Sequence, residues 1–126
     1  MSERVSHTDW SENEFFQASV VNDDILLVTL NGNLDGVTTE DFNNKIQSHL
    51  DNDKSHFIID CRRLGSISSL GVGALVRLQT RVQRNGGAVK LAAITGMAAQ
   101  VIRVVKLNKV LDIYDDAESA RNSFNS

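Results

Sequence analysis

The run His56-Phe57-Ile58-Ile59-Asp60-Cys61 constrains this chain more than any other segment. It is β-branched and aromatic, too short for a good helix, and apolar on both faces, the pattern of a central strand covered from both sides. A strand of that kind needs helices to cover it, so the flanking sequence is read for segments that supply them.

Ahead of it, Glu14 to Val21 alternates weakly and stops at Asn22-Asp23. The dense apolar run Ile25, Leu26, Leu27, Val28 and Leu30 then ends at Gly32. Two strands joined by a turn-forming Asn-Asp give a hairpin. From Thr38 the period changes: Phe42, Ile46 and Leu50 recur every fourth residue, and Thr38 with Asp41 three places on suggests an N-cap. This predicts a helix over Thr39 to Leu50, with His49 beside the stripe as a partly buried surface residue.

After the central strand and a polar link, Gly71, Ala74, Leu75, Leu78 and Val82 form one stripe at helical spacing, predicting a helix from Ser69 to Arg84 that Asn85-Gly86-Gly87 stops. Ala88 to Ile94 reads as a fourth strand. Thr95 caps a third helix through Leu107, and Leu111 to Tyr114 is a short fifth strand. Asp115 and Asp116 open a last helix carrying Ala117, Ala120 and Phe124, with acids at the positive end of its dipole. The order ββαβαβαβα places the chain in the α/β class, with a mixed sheet flanked by helices. No repeat or linker interrupts it.

With 126 residues, the chain is sized for one hydrophobic core. The expected organisation is a flexible N-terminal tail over residues 1–13 and a single domain over 14–126. No apolar run approaches the roughly 20 residues that cross a bilayer, so no membrane insertion is expected. The first residues surround Trp10 with Ser, Glu, Asp and Asn, unlike a signal peptide. A single cysteine, Cys61, forms no internal disulfide, and a cytoplasmic location follows. A net charge of −3, with no basic run longer than Arg62-Arg63, gives no general attraction for nucleic acid.

Catalysis needs a constellation, and none is visible. His7, His49 and His56 lack metal-ligand spacing, and Cys61 at a strand end reads as a small buried hydrophobe. Gly71-Val72-Gly73 is one Gly-x-Gly without the third glycine of a dinucleotide fingerprint. Neither a metal nor another cofactor is expected. The informative segment is Gly65-Ser66-Ile67-Ser68-Ser69-Leu70-Gly71-Val72-Gly73, where hydroxyls collect at the start of the second helix. The free amides and dipole there would accommodate a phosphoserine. The plainer reading, favoured by the residues alone, is that Ser68 or Ser69 merely N-caps the helix.

This segment resembles the signature of the STAS-domain family, Asp-Ser-(Ser/Thr)-Gly-Leu-Gly, in which the serine after the aspartate is phosphorylated by a partner-switching kinase. Gly32-Asn33-Leu34-Asp35 is similar to the family's Gly-x-(Leu/Ile)-Asp, and Gly86-Gly87 with Val89-Lys90-Leu91 to its fourth strand. Leu107 to Tyr114, followed by Asp116-Ala117-Glu118-Ser119-Ala120, is similar to its ending. The resemblance covers residues 14 to 124. Here the pattern breaks: Ser68 stands where the family has aspartate, and Leu70 where it has Ser or Thr.

The resemblance implies the STAS fold and the role of an anti-sigma-factor antagonist, a non-enzymatic regulator of transcription. Its partner would be an anti-sigma factor that is also a serine kinase, with a phosphatase resetting the switch. By position, Ser69 is the phosphoacceptor, Gly71 allows close approach at the helix start, and Asp35 is the loop aspartate on the same surface. Ser68, Val72 and Val76 join the expected partner-binding set; the two valines, four apart and off the stripe, are either a contact patch or scattered surface residues. The alternative reading is a constitutive STAS subunit of a larger assembly, such as a lipid-transport ATPase or a stress-sensing scaffold, with no phosphate cycle. A nucleotide- or lipid-binding module is a third class, for which no residue argues.

Overall fold

Strand-forming Ile, Leu, Val and Phe in periods of two, interleaved with helical stripes, fold as the order of segments requires. The computed structural model describes residues 14–22 and 24–124. Among these, five strands and four α-helices follow in the order β1 (Phe16–Val21), β2 (Ile25–Leu34), α1 (Gly36–Asp51), β3 (His56–Ile67), α2 (Ser69–Gln83), β4 (Ala88–Ala92), α3 (Gly96–Val104), β5 (Asp112–Tyr114) and α4 (Ala117–Phe124). A 3₁₀ turn over Leu107–Lys109 separates α3 from β5. The expected tail, residues 1–13, and Asp23 of the hairpin turn lie outside the described residues.

One sheet holds the strands in sequence order, β1-β2-β3-β4-β5. β1 and β2 pair antiparallel as the hairpin, with Val21 opposite Ile25, and every later pair is parallel. Each right-handed crossover between successive parallel strands advances in the same direction, so α1, α2 and α3 fall on one face. There Phe42, Ile46, Leu75, Leu78, Val82 and Ile102 pack on Leu26, Val28, Phe57, Ile59 and Leu91. The opposite face is covered by α4, whose Ala120 packs with Ile25, Ile58 and Ala92. β3 is thus sandwiched, and Phe57 through Cys61 are all buried. Burial, with the Asp60 charge beside it, pushes the Cys61 thiol up to about 12.

Lys90 on β4 belongs to the α4 face and is only 8% exposed. Its ammonium sits 4.0 Å from the Phe124 ring centroid and 5.5 Å from that of Tyr114, and it donates to Ser123 Oγ. The cation is satisfied by two ring faces and a hydroxyl, which fastens the end of α4 to the sheet.

Several boundaries differ from those the sequence suggests. β3 runs on to Ile67, and β2 to Leu34, so the supposed polar link is strand. Register shifts between Thr29 and Asn31 and between Gly32 and Asn33 give β3 extra residues there, and each bulge resets which side chains face inward. Arg62 and Arg63 are therefore both exposed while Leu64 and Ile67 are buried, erasing the period of two. α1 begins at Gly36 rather than Thr39, capped by Asp35 rather than Thr38. The Asp35 carboxylate accepts from the Val37 and Thr38 amides at 3.1 Å each, and Thr38 Oγ1 accepts from the Asp35 amide at 2.9 Å, a reciprocal box with threonine in the usual place of glutamate. Thr95 precedes α3 without a side-chain cap bond. α3 stops at Val104, because the chain turns through left-handed Lys106 (φ 61°) to bury Leu107. β4 ends at Ala92, before left-handed Ala93, and β5 starts one residue later than expected.

Gly87 is fixed by packing: a Cβ there would lie 1.9 Å from the Ser55 carbonyl oxygen, which already accepts the Ala88 amide at 3.1 Å. Gly87→Ala is expected to destabilise the fold by about 1–3 kcal/mol, read by urea unfolding; an unchanged midpoint would mean that the β3–β4 approach is looser than described. Amide hydrogen bonds, from Thr38 to Asp35 and from Ser119 to Asp116, hold both carboxyls below the ordinary aspartate value. Such groups stabilise the fold above their unfolded pKa, and that contribution is lost as pH falls through the lower folded value. The melting temperature should therefore drop below about pH 4 less steeply in the Asp35→Asn/Asp116→Asn variant than in the parent; coincident slopes would count against the caps.

Candidate partner-binding site

β3 delivers the chain to α2 through Ser68, whose extended backbone (φ −91°, ψ 173°) places it at the N-cap. Its amide donates to the Leu34 carbonyl at 2.9 Å, tying the helix start to the end of β2. Its hydroxyl accepts from the Gly71 amide at 3.3 Å. Of the two serines, Ser68 is the cap, and Ser69 is the exposed first residue of the helix. The first-turn amides that no intrahelical carbonyl can reach lie beside it, at the positive end of the helix dipole.

Gly71 is required here by proximity. A Cβ would meet Leu34 Cγ at 2.8 Å and Ile67 Cγ1 at 2.9 Å, both side chains buried. The first turn of α2 consequently lies on the ends of β2 and β3, close to where α1 begins. A Cβ at Gly36 would sit 3.8 Å from Leu70 Cδ1, so the two helix starts adjoin. Asp35 caps one and Ser68 the other.

Asp35, Ser68, Ser69 and Gly71 are therefore brought to one place, whereas Val72 and Val76 are not a free patch. Both are half-buried and pack against the core, because the apolar side of α2 is broader than the five-residue stripe. Gln79 widens it further, buried with its Oε1 accepting from the Val89 amide at 2.9 Å. Among the described residues the exposed large apolar side chains are Val20, Val37, Leu70, Met97, Val104, Val105 and Val110, and three of them sit at helix starts. Val37, Leu70 and Met97 are 81%, 61% and 66% exposed, and each is the second residue of its helix, α1, α2 and α3. Those helices follow the ends of β2, β3 and β4; Val37 and Leu70 lie where the α1 and α2 starts adjoin, while Met97 follows β4, whose last pair with β3 is Ala92 with Asp60. No sequence signal marked them, since single apolar residues on a surface are ordinary; only the adjoining helix starts give Val37 and Leu70 a meaning.

Among the described residues no group of three or more His, Cys, Asp or Glu is placed to hold a metal ion, and no helix is long and apolar enough to cross a membrane. What the edge presents is a hydroxyl, a helix terminus and apolar surface, the makings of a contact.

The chain's fold is found in several solved structures. The Thermotoga maritima protein TM1081, a candidate anti-sigma factor antagonist, superposes with a TM-score of 0.83 at 19% identity, over 88% of this chain and 95% of that one. The Bacillus cell fate determinant SpoIIAA, in its phosphorylated form, gives 0.68 at 22% identity, over 86% and 98%. A sulfate transporter family protein from Wolinella succinogenes gives 0.68 at 18%, over 81% and 85%. At these identities the likeness is one of fold. The family model for the STAS domain matches residues 17–120, which takes in every strand but the first residue of β1 and all the helix starts described above: this chain belongs to the STAS-domain family.

Proposed function

We propose that this protein is a non-enzymatic, cytoplasmic partner-switching regulator of the anti-sigma-factor-antagonist type, and that Ser69 is its switch. The observation that carries the reading is the division of labour between adjacent serines. Ser68 caps the helix by accepting from the Gly71 amide, and Ser69 stands exposed at the helix start beside exposed Leu70. Unmodified, the edge docks on an anti-sigma factor that is also a serine kinase, with Leu70 and Val37 making the apolar contact. That sequesters the anti-sigma factor and frees the sigma factor.

A phosphate on Ser69 adds about −1.5 to −2 charges. The α2 terminus stabilises it locally through its amides and dipole. Docking, however, would bury that charge beside Leu70 and Val37, and the desolvation cost favours release. A phosphatase resets the cycle. Its fold neighbour SpoIIAA has a phosphorylated form, in keeping with such a switch.

Ser68 at the family's aspartate position favours a second reading. Without a carboxylate beside the acceptor, the same edge would serve as a permanent contact of a STAS subunit in a larger assembly, such as a transport ATPase or a stress-sensing scaffold.

Incubated with its serine-kinase partner and ATP, the wild type is expected to gain the mass of one phosphate and Ser69→Ala none. No phosphate on the wild type would leave the permanent-contact reading in place. Leu70→Ala should weaken partner binding by more than about 1 kcal/mol with an unchanged melting temperature, because the side chain is 61% exposed. Unaltered affinity, measured by calorimetric titration, would move the interface off this edge.

A further inference from the structure

Helix α3 is apolar on more than its buried side. Ala98 and Ile102 lie in the core, with Val101 packed against it. On the outer side stand Met97 and Val104, 66% and 79% exposed. They are seven residues apart, two turns, so they lie on one line of the helix about 10 Å from each other. A helix covered on one side ordinarily turns charged and polar residues outward; α3 turns out a second apolar row beside Gln100 and Arg103. Past its end, the Lys106 amide donates to the Arg103 carbonyl at 3.1 Å and the Val110 amide to the Leu107 carbonyl at 2.9 Å, which winds residues 103–110 into a knuckle of two tight turns. Only Leu107 of the knuckle is buried. Val105 and Val110 are half-exposed, and Arg103, Lys106 and Lys109 are exposed among them.

The charge at this end has its origin in the sequence. All 16 acidic residues lie outside residues 61–111, while most of the 13 basic ones lie within that stretch. A chain of net charge −3 is thus divided by sign along its length, and α3 with its knuckle falls in the positive part. Asp112, the next acid, already belongs to β5. Lysine and valine are poor material for a protein contact, since lysine is depleted at such interfaces and valine is under-represented among the residues that carry their energy. A second copy placed face to face would set three cations against three. A free anion would leave Met97 and Val104 in water, and a zwitterionic surface would leave the cations without counter-charge. Apolar side chains interleaved with cations over one short exposed stretch suit the boundary of an anionic bilayer, where the former reach toward the acyl chains and the latter meet the headgroups. We propose that α3 and its knuckle form a peripheral docking surface for an anionic lipid bilayer, with Met97 and Val104 entering the headgroup layer and Arg103, Lys106 and Lys109 pairing with its charges. The chain lies on such a membrane and does not cross it. This surface shares no residue with the Ser69 site, so either reading can fail alone.

The test is co-sedimentation of the full chain with mixed phosphatidylglycerol and phosphatidylcholine vesicles, against vesicles of phosphatidylcholine alone. The chain is expected to pellet with the mixed vesicles only, and to be released as salt screens the headgroups. Arg103→Gln/Lys109→Gln and, separately, Val104→Gln should each weaken that binding by about tenfold. Both are expected to leave the unfolding midpoint unchanged, since the three side chains are exposed. The proposal is overturned if the chain stays in solution with both kinds of vesicle, if phosphatidylcholine alone binds it as well, or if either variant pellets like the parent. A dimer in place of vesicle binding, seen by light scattering and lost in Val104→Gln, would give the apolar row to a second copy of the chain and equally overturn it.

Discussion

Parallel pairing of β2, β3 and β4 dictates most of what this molecule presents to solvent. Parallel neighbours cannot be joined by a tight turn, so each needs a crossover, and a crossover of fixed hand returns over the same face. Because the strands advance in sequence order, α1, α2 and α3 all cover one face and all begin at one edge. Three helix starts, with their unsatisfied amides, are thereby collected along that edge with no residue having been chosen for function. α4, coming after the last strand, is left to close the other face.

On that common edge, small differences in side chain decide what each helix start does. Asp35 and Thr38 close the α1 terminus upon itself, leaving Val37 outward. Ser68 closes part of the α2 terminus and leaves Ser69 outward. Thr95 makes no such bond at α3. Gly71 draws these features together, since any side chain there would push α2 away from Leu34 and Ile67 and separate its start from that of α1. The glycine thus does its work through distance rather than through backbone freedom.

Much of this was legible in the residues. The doubly apolar Phe57 to Cys61 segment, the stripe from Gly71 to Val82 and the Asn-Gly-Gly stop mark the sheet centre and its main helix without ambiguity. Illegible was the stretch where β2 and β3 leave the regular ladder: two bulges break the period of two, so Arg62 to Ile67 read as a link. The α1 start was misplaced because a threonine at the third helical position, rather than an acid, completes the Asp35 box. The site was half visible. Motif order pointed to Asp35, Ser69 and Gly71 at the helix starts; Val72 and Val76 are half-buried against the core, and Val37 and Leu70 are seen to adjoin only once α1 and α2 start side by side.

The bulged ribbon has a bearing on how such a surface changes over time. Between the Thr29–Asp60 and Leu34–Ile67 pairs, β3 spends two more residues than β2. The slack lies between the buried centre of the sheet and the helix starts, with exposed Arg62, Arg63 and Gly65 inside it. Gains, losses and substitutions there re-aim the edge without shifting the phase of Phe57, Ile59 or their neighbours. The ribbon acts as a coupling of adjustable length between the helix starts and a core whose phase it leaves untouched.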